Sequence, residues 1–353
     1  MHADRWEQGS DFAYPELTPD AAPATWLPAE ASYWHSGRHA LRALVRALRP
    51  ARVLFPSFYC QDVLDAADDA EVRAYGDAPE DERIDIDALD LRPGDMVVVT
   101  NNYGLRRASP LGVLPPSVTL VEDHTHDPLS RWARESVADF AFASLRKWFP
   151  LPDGALLWSP AGKQVPPAPS FDPVAHAASA AITLDRLTGM LLKQRYLAGE
   201  PVTKVDYRAR AVAGEDAIGK GDPAPMSPVS RALIGTFPAE AWRTARTRNH
   251  ATFERALGAV SGVRLLTQPG DETRAPYAAV LCFDDPAKRD AVRTELVKRN
   301  IYPAVLWPLA PDRAPGIPAS HVELSRRVLC LHCDHRYGAN DMERVAAAVR
   351  GAL

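Results

Sequence analysis

The sequence has little cysteine: Cys60, Cys282, Cys330 and Cys333 are the four in 353 residues. Four cysteines do not staple a chain of this size, so a disulfide scaffold is excluded and a reducing, cytoplasmic setting is expected. Apolar runs of transmembrane length are missing, and the first residues lack a signal-peptide pattern. No long block of one charge sign occurs, and the formal net charge is -4. That balance offers neither a footprint for nucleic acid nor a basic face for a membrane. Cys330 and Cys333 form one Cys-x-x-Cys with histidines beside it. There is no distant second pair, and Cys330 belongs to an apolar run, so no metal site is expected.

What is present is ordinary globular composition, 46% hydrophobic and 24% charged, in a chain long enough for one large domain and a smaller partner. Residues 1–30 are mostly polar and Pro-rich and read as an N-terminal arm or loose lead-in. Residues 31–235 alternate strand and helix patterns, and 236–353 read as a small C-terminal α/β domain. Leu41, Leu44, Val45 and Leu48 recur at helical spacing, with Ser36 where an N-cap belongs and Gly37 and Arg38 in the first turn. A helix start with free amide hydrogens can hold a phosphate; a plain N-cap is the alternative. Arg52 to Pro56 and Met96 to Thr100 read as buried strands, continuous in apolar residues as strands covered on both faces should be.

Two stretches carry the chemistry. Leu120 to His126 reads as a strand that delivers Asp123 and His126 at its carboxyl end. Ala141 to Lys147 reads as another strand, delivering Ser144 and Lys147 three residues apart. Polar groups beyond the carboxyl ends of strands are the usual place for a site in an open α/β sheet. An acid at one strand end can keep a pyridine nitrogen protonated, and a lone lysine amine at the next can bond an aldehyde. Together they are what a pyridoxal 5'-phosphate enzyme needs. Taken singly, Asp123 reads equally as a cap and Lys147 as a surface lysine.

The ordered set Ser36-Gly37, Tyr59, Asp-x-x-His at Asp123 and His126, then Ser-x-x-Lys at Ser144 and Lys147, resembles the DegT-type family of fold-type-I pyridoxal phosphate enzymes. These are mostly sugar aminotransferases. The resemblance implies a seven-stranded mixed sheet followed by a small C-terminal α/β domain, in a homodimer. It implies that Lys147 binds the cofactor covalently and that Asp123 faces the pyridine nitrogen. His126 would contact the phenolic oxygen, and Tyr59 would cover the ring. Ser36, Gly37, Arg38 and Ser144 would hold the phosphate. Asn101 is carried as a cofactor or substrate contact, with a turn role as the alternative.

Where the family has a basic residue or Asn reaching the neighbouring subunit, this chain reads Pro225-Met226-Ser227-Pro228. The polar, Gly- and Pro-rich stretch 204–228 reads as a connection between helices over 175–197 and 240–257. The cations of the second helix, Arg243, Arg246 and Arg248, read as a solvated face. Trp307 and His332 are candidates for the edge of a substrate pocket. The expected activity is amino transfer from a small-molecule donor to a keto acceptor, such as a nucleotide-linked sugar or natural-product intermediate. The same residues also serve a dehydratase, cyclase or oxidative enzyme, and a non-catalytic relative is the alternative of another class.

Overall fold

The computed structural model describes residues 5–9, 11–16, 25–266 and 274–353. The rest of the arm lies outside the described residues. Where described, the arm is not the loose lead-in its composition suggests. β1 (Gln8–Gly9) pairs in parallel with a strand at Ile301 and Tyr302, and Gln8 is buried. Glu7 is tied to the Lys193 ammonium at 2.7 Å. Composition is blind to such pairing, because the backbone makes it.

The large sheet is built from β2 (Ser32–Trp34), β3 (Arg52–Pro56), β4 (Glu71–Tyr75), β5 (Met96–Thr100), β6 (Thr119–Asp123), β7 (Phe140–Ser144) and β8 (Ala155–Trp158). α1 (Gly37–Leu48) lies between β2 and β3, and α2 (Arg131–Glu135) between β6 and β7. The strand order is β2-β8-β7-β6-β5-β3-β4, seven strands in all. β4, β3, β5, β6 and β7 run parallel, while β8 and β2 are antiparallel to their neighbours. This is the mixed sheet expected from the resemblance. The alternation of strand side chains splits the core. Val53, Phe55, Val98, Phe140 and Phe142 pack with Leu41 and Leu44 of α1. Leu54, Val97 and Val99 face the other way, as do Ala141 and Ala143. Each fully buried leucine of α1 stabilises by roughly 1.5–3 kcal/mol, which fixes the start of α1 over the sheet.

Beyond the sheet, α3 (Ala177–Leu197) and α4 (Lys204–Ala217) form an antiparallel pair, followed by α5 (Pro228–Leu233) and α6 (Ala239–Leu257). α4 corrects the sequence expectation of a connection there. Its start is fixed by a capping box between Thr203 and Asp206, but only Tyr207, Ala211 and Gly214 are buried. So thin an apolar stripe is masked by the Gly and Pro residues after it. Segment 225–228 is held by its own chain: Met226 is in the core, and the Ser227 N–H and hydroxyl both donate to Asp153. The small domain has β9 (Val263–Leu265), β10 (Ala278–Phe283), α7 (Pro286–Lys298), β11 (Ile301–Tyr302), α8 (Ala319–Arg327), β12 (Val328–His332) and α9 (Ala339–Arg350). β12, β10 and β9 form an antiparallel sheet with Phe253, Leu257, Val345 and Val349 packed on it. Cys330 is in that sheet, and all four cysteines are free. Among the described residues, no helix is long and apolar enough to cross a membrane.

Three buried histidines give the fold a pH signature. Burial, reinforced by the Arg146 charge at His35 and by His35 at His39, brings His35, His39 and His250 down to about 4. Unfolded, each binds its proton near 6.5. Between those values the unfolded chain holds more protons, so stability falls as pH falls. The expected result is a Tm several degrees lower at about pH 5 than at pH 7. A Tm that is flat or rises toward pH 5 would contradict it.

Candidate active site

The carboxyl ends of β3, β5, β6 and β7 lie on one edge of the sheet, and the start of α1 approaches the same edge. Between them is a pocket of about 240 Å³. Its wall includes Ser36, Gly37, Arg38, Tyr59, Asp123, His126, Ser144 and Lys147. Eight of the nine residues nominated from the sequence therefore meet in one place. Asn101 does not. It is fully buried behind the pocket, and its Oδ1 accepts the Arg106 N–H at 2.9 Å, which is a turn role.

On the side of α1, Ser36 is the N-cap, its hydroxyl accepting the His39 N–H at 3.2 Å. The first i to i-4 bond runs from Ala40 N–H to the Ser36 carbonyl, so the Gly37 and Arg38 amides stand ahead of the helix ladder. A Cβ on Gly37 would lie 3.3 Å from the Ser144 Cβ. Glycine is what lets the helix start come this close to the end of β7. Ser144 donates its N–H to the Thr125 hydroxyl at 3.0 Å, which locks the two strand ends together. The Arg38 guanidinium donates to the Ile218 carbonyl.

On the floor, Asp123 ends β6 and is 5% exposed. Its Oδ1 accepts the Thr125 N–H at 2.8 Å, and its Oδ2 accepts the Tyr59 hydroxyl at 2.5 Å. Tyr59 makes a contact that the resemblance does not imply: its hydroxyl bonds the acid. His126 accepts the Tyr103 N–H on Nδ1 at 3.0 Å. Burial, with Lys147 and Arg246 nearby, holds this imidazole well below its usual range, so it is neutral and carries its proton on Nε2. That Nε2 is buried without a hydrogen-bond partner among the described residues. Lys147 lies in the turn after β7, half-buried, its ammonium 5.3 Å from the centre of the Trp307 ring. Trp307 also stacks on His126 at 5.3 Å, so the small domain closes the pocket with an aromatic wall.

Lys147 also borders a second pocket, of about 400 Å³. Arg146, Arg186, Arg208, Arg246, Arg293 and Arg336 line it, against Asp11, Glu215 and Asp334. Glu215 is held by Arg146 at 2.5 Å and Arg186 at 2.9 Å. Burial works against its charge, but these arginines bring its carboxyl down to about 2. Asp334 is matched by Arg336 at 2.7 Å. Arg208 and Arg293 have no carboxylate partner among the described residues, so the pocket is positive although the chain is acidic overall. Arg246 corrects the reading of α6 as a solvated face. It is 2% exposed, with its guanidinium 4.3 Å over the Trp148 ring. His332 borders this pocket. No sequence pattern marks the basic pocket, because its arginines come from the turn after β7, α3, α4, α6, α7 and the segment after β12.

No protein-family model and no curated protein matches the chain. Solved structures share its fold. DesI, solved in the presence of its TDP-sugar product, has a TM-score of 0.59 at 19% identity, over 91% of this chain and 79% of that one. The aminotransferase TlmJ from Streptoalloteichus hindustanus gives 0.57 at 18% identity, over 92% of this chain and 86% of that one. The putative sugar aminotransferase Spr1654 from Streptococcus pneumoniae, in its PLP form, gives 0.60 at 11% identity, over 92% and 88%. The architecture is that of these structures, a large mixed-sheet domain with a small α/β domain.

Proposed function

We propose that this chain is a pyridoxal phosphate-dependent aminotransferase. The observation that carries the reading is the meeting of Asp123, His126, Lys147 and the α1 start in one pocket. The residues fit the cofactor. The buried Nε2 of His126 is a donor without a partner among the described residues, suited to a phenolic oxygen. The Gly37 and Arg38 amides, with Ser36 and Ser144, form a cradle suited to a phosphate. Asp123 offers a buried carboxylate for a pyridine N–H. When bound, pyridoxal phosphate supplies an electron-withdrawing ring that stabilises a carbanion at the amine-bearing carbon. Lys147 would hold the cofactor through its amine, and the same amine is the group placed to move a proton at that carbon. Trp307 covers one side of the lysine, its ring centre 5.3 Å from the ammonium.

The basic pocket beside Lys147 supports an anionic keto substrate. A nucleotide-linked sugar or a related natural-product intermediate fits it, and DesI was solved with a TDP-sugar product. The reading further takes the chain as a cytoplasmic homodimer whose large and small domains meet near residues 235 and 236. Pyridoxamine phosphate formed from protein-bound cofactor after adding glutamate or glutamine tests the reaction class. Its absence with every donor would favour a different outcome of the same cofactor.

The phosphate assignment has its own test. Ser36→Ala and Ser144→Ala should each weaken pyridoxal phosphate binding about tenfold to a hundredfold, because each removes a bond to a charged group worth roughly 1.5–3 kcal/mol. Unchanged affinity in both variants, measured by titration, would reject it.

A further inference from the structure

Tyr59 stands at the corner after β3, 2% exposed, and its ring is clamped in place. It stacks on Phe55 at 5.9 Å and meets Trp307 edge-on at 6.5 Å. The hydroxyl has one partner among the described residues, Asp123 Oδ2. Burial, and after it the Asp123 charge, hold this phenol well above its ordinary range, so it keeps its proton and stays a donor. Asp123 Oδ1 accepts the Thr125 N–H and Oδ2 accepts the phenol, so a further donor meets a carboxylate already bonded on both oxygens, and at Oδ2 it meets the Tyr59 hydroxyl, which also borders the pocket.

We propose that Tyr59 is a positioning residue that acts through Asp123, its phenol competing with a pyridine N–H for the same carboxylate oxygen. This rests on the pyridoxal phosphate reading above. A carboxylate that already accepts a short phenol bond gains less from a second donor. Without the phenol, Oδ2 is a buried acceptor with no partner, which destabilises the cofactor-free protein. A ring N–H then restores what the substitution removed, and the cofactor binds more tightly. Tyr59 thus weakens the hold on the cofactor and keeps the acid satisfied without it. A residue that only stacked on the ring would do the reverse, since its loss weakens binding.

The test is Tyr59→Phe, which removes one oxygen and keeps the ring packing. The Tm of the cofactor-free variant should fall by a few degrees. Its pyridoxal phosphate Kd, measured by absorbance titration, should fall on the order of tenfold. In an Asp123→Asn background the same substitution should change Kd by no more than about twofold, because the effect passes through the carboxylate. Weaker or unchanged binding by Tyr59→Phe overturns the proposal. So does an equal change in both backgrounds, which would be packing alone. Failure of the unsubstituted protein to bind pyridoxal phosphate at all would overturn the functional reading together with the proposal. Normal binding with a failed Tyr59 test overturns the proposal alone.

Discussion

Lys147→Ala is expected to abolish the visible absorption of bound cofactor and to lower turnover by at least about 10³-fold, leaving the fold intact. The lysine sits in a one-turn segment after β7, half-buried, outside the hydrogen-bond and ion-pair networks of the described residues. Its ammonium lies 5.3 Å from the centre of the Trp307 ring, a contact worth about 0.5–1 kcal/mol. Its loss therefore lowers the Tm by only a few degrees. No other lysine borders the 240 Å³ pocket, so none is placed to take over the anchor. A variant that retains a borohydride-reducible link between protein and cofactor would show that another lysine is the anchor.

Asp123→Asn is expected to keep the cofactor bound while losing roughly 10²–10³-fold in turnover. The amide is nearly the same shape, and Lys147 and the phosphate contacts are untouched. A neutral amide does not hold the pyridine proton, and that proton makes the ring an electron sink. The acid is placed for the task by two bonds, from the Thr125 N–H to Oδ1 and from the Tyr59 hydroxyl to Oδ2; in the amide one oxygen keeps the Thr125 N–H, and the NH2 group donates to the Tyr59 hydroxyl oxygen. The measurement pairs cofactor occupancy with single-turnover conversion to pyridoxamine phosphate. High occupancy with near-normal turnover would remove Asp123 from its pyridine role.

Much of this site was legible in the sequence because strand ends are legible. An apolar run stopped by an acid or a serine marks a carboxyl end, and in a parallel sheet such ends converge. Asp123, Ser144 and Lys147 were found that way, and Ser36 and Gly37 from the N-cap pattern of α1. What the sequence hid depends on tertiary packing. Arg246 looks solvated because a helix wheel of Arg243, Arg246 and Arg248 is charged all round, yet Trp148 covers one member. α4 buries too thin a stripe to show a period. Tyr59 was found as an aromatic near the cofactor site, but nothing local aims its hydroxyl at a residue 64 positions away. Asn101 was placed beside the pocket by the strand-end rule and is taken up by the turn that β5 needs.

The central claim, that Lys147 anchors pyridoxal phosphate in the pocket floored by Asp123, is tested most directly by reduction and mapping. The purified protein is incubated with pyridoxal phosphate, reduced with borohydride, digested and analysed by mass spectrometry. A single phosphopyridoxyl group on the peptide that contains Lys147 is the predicted result. No incorporation, or incorporation on a different lysine with Lys147 unmodified, would contradict the account.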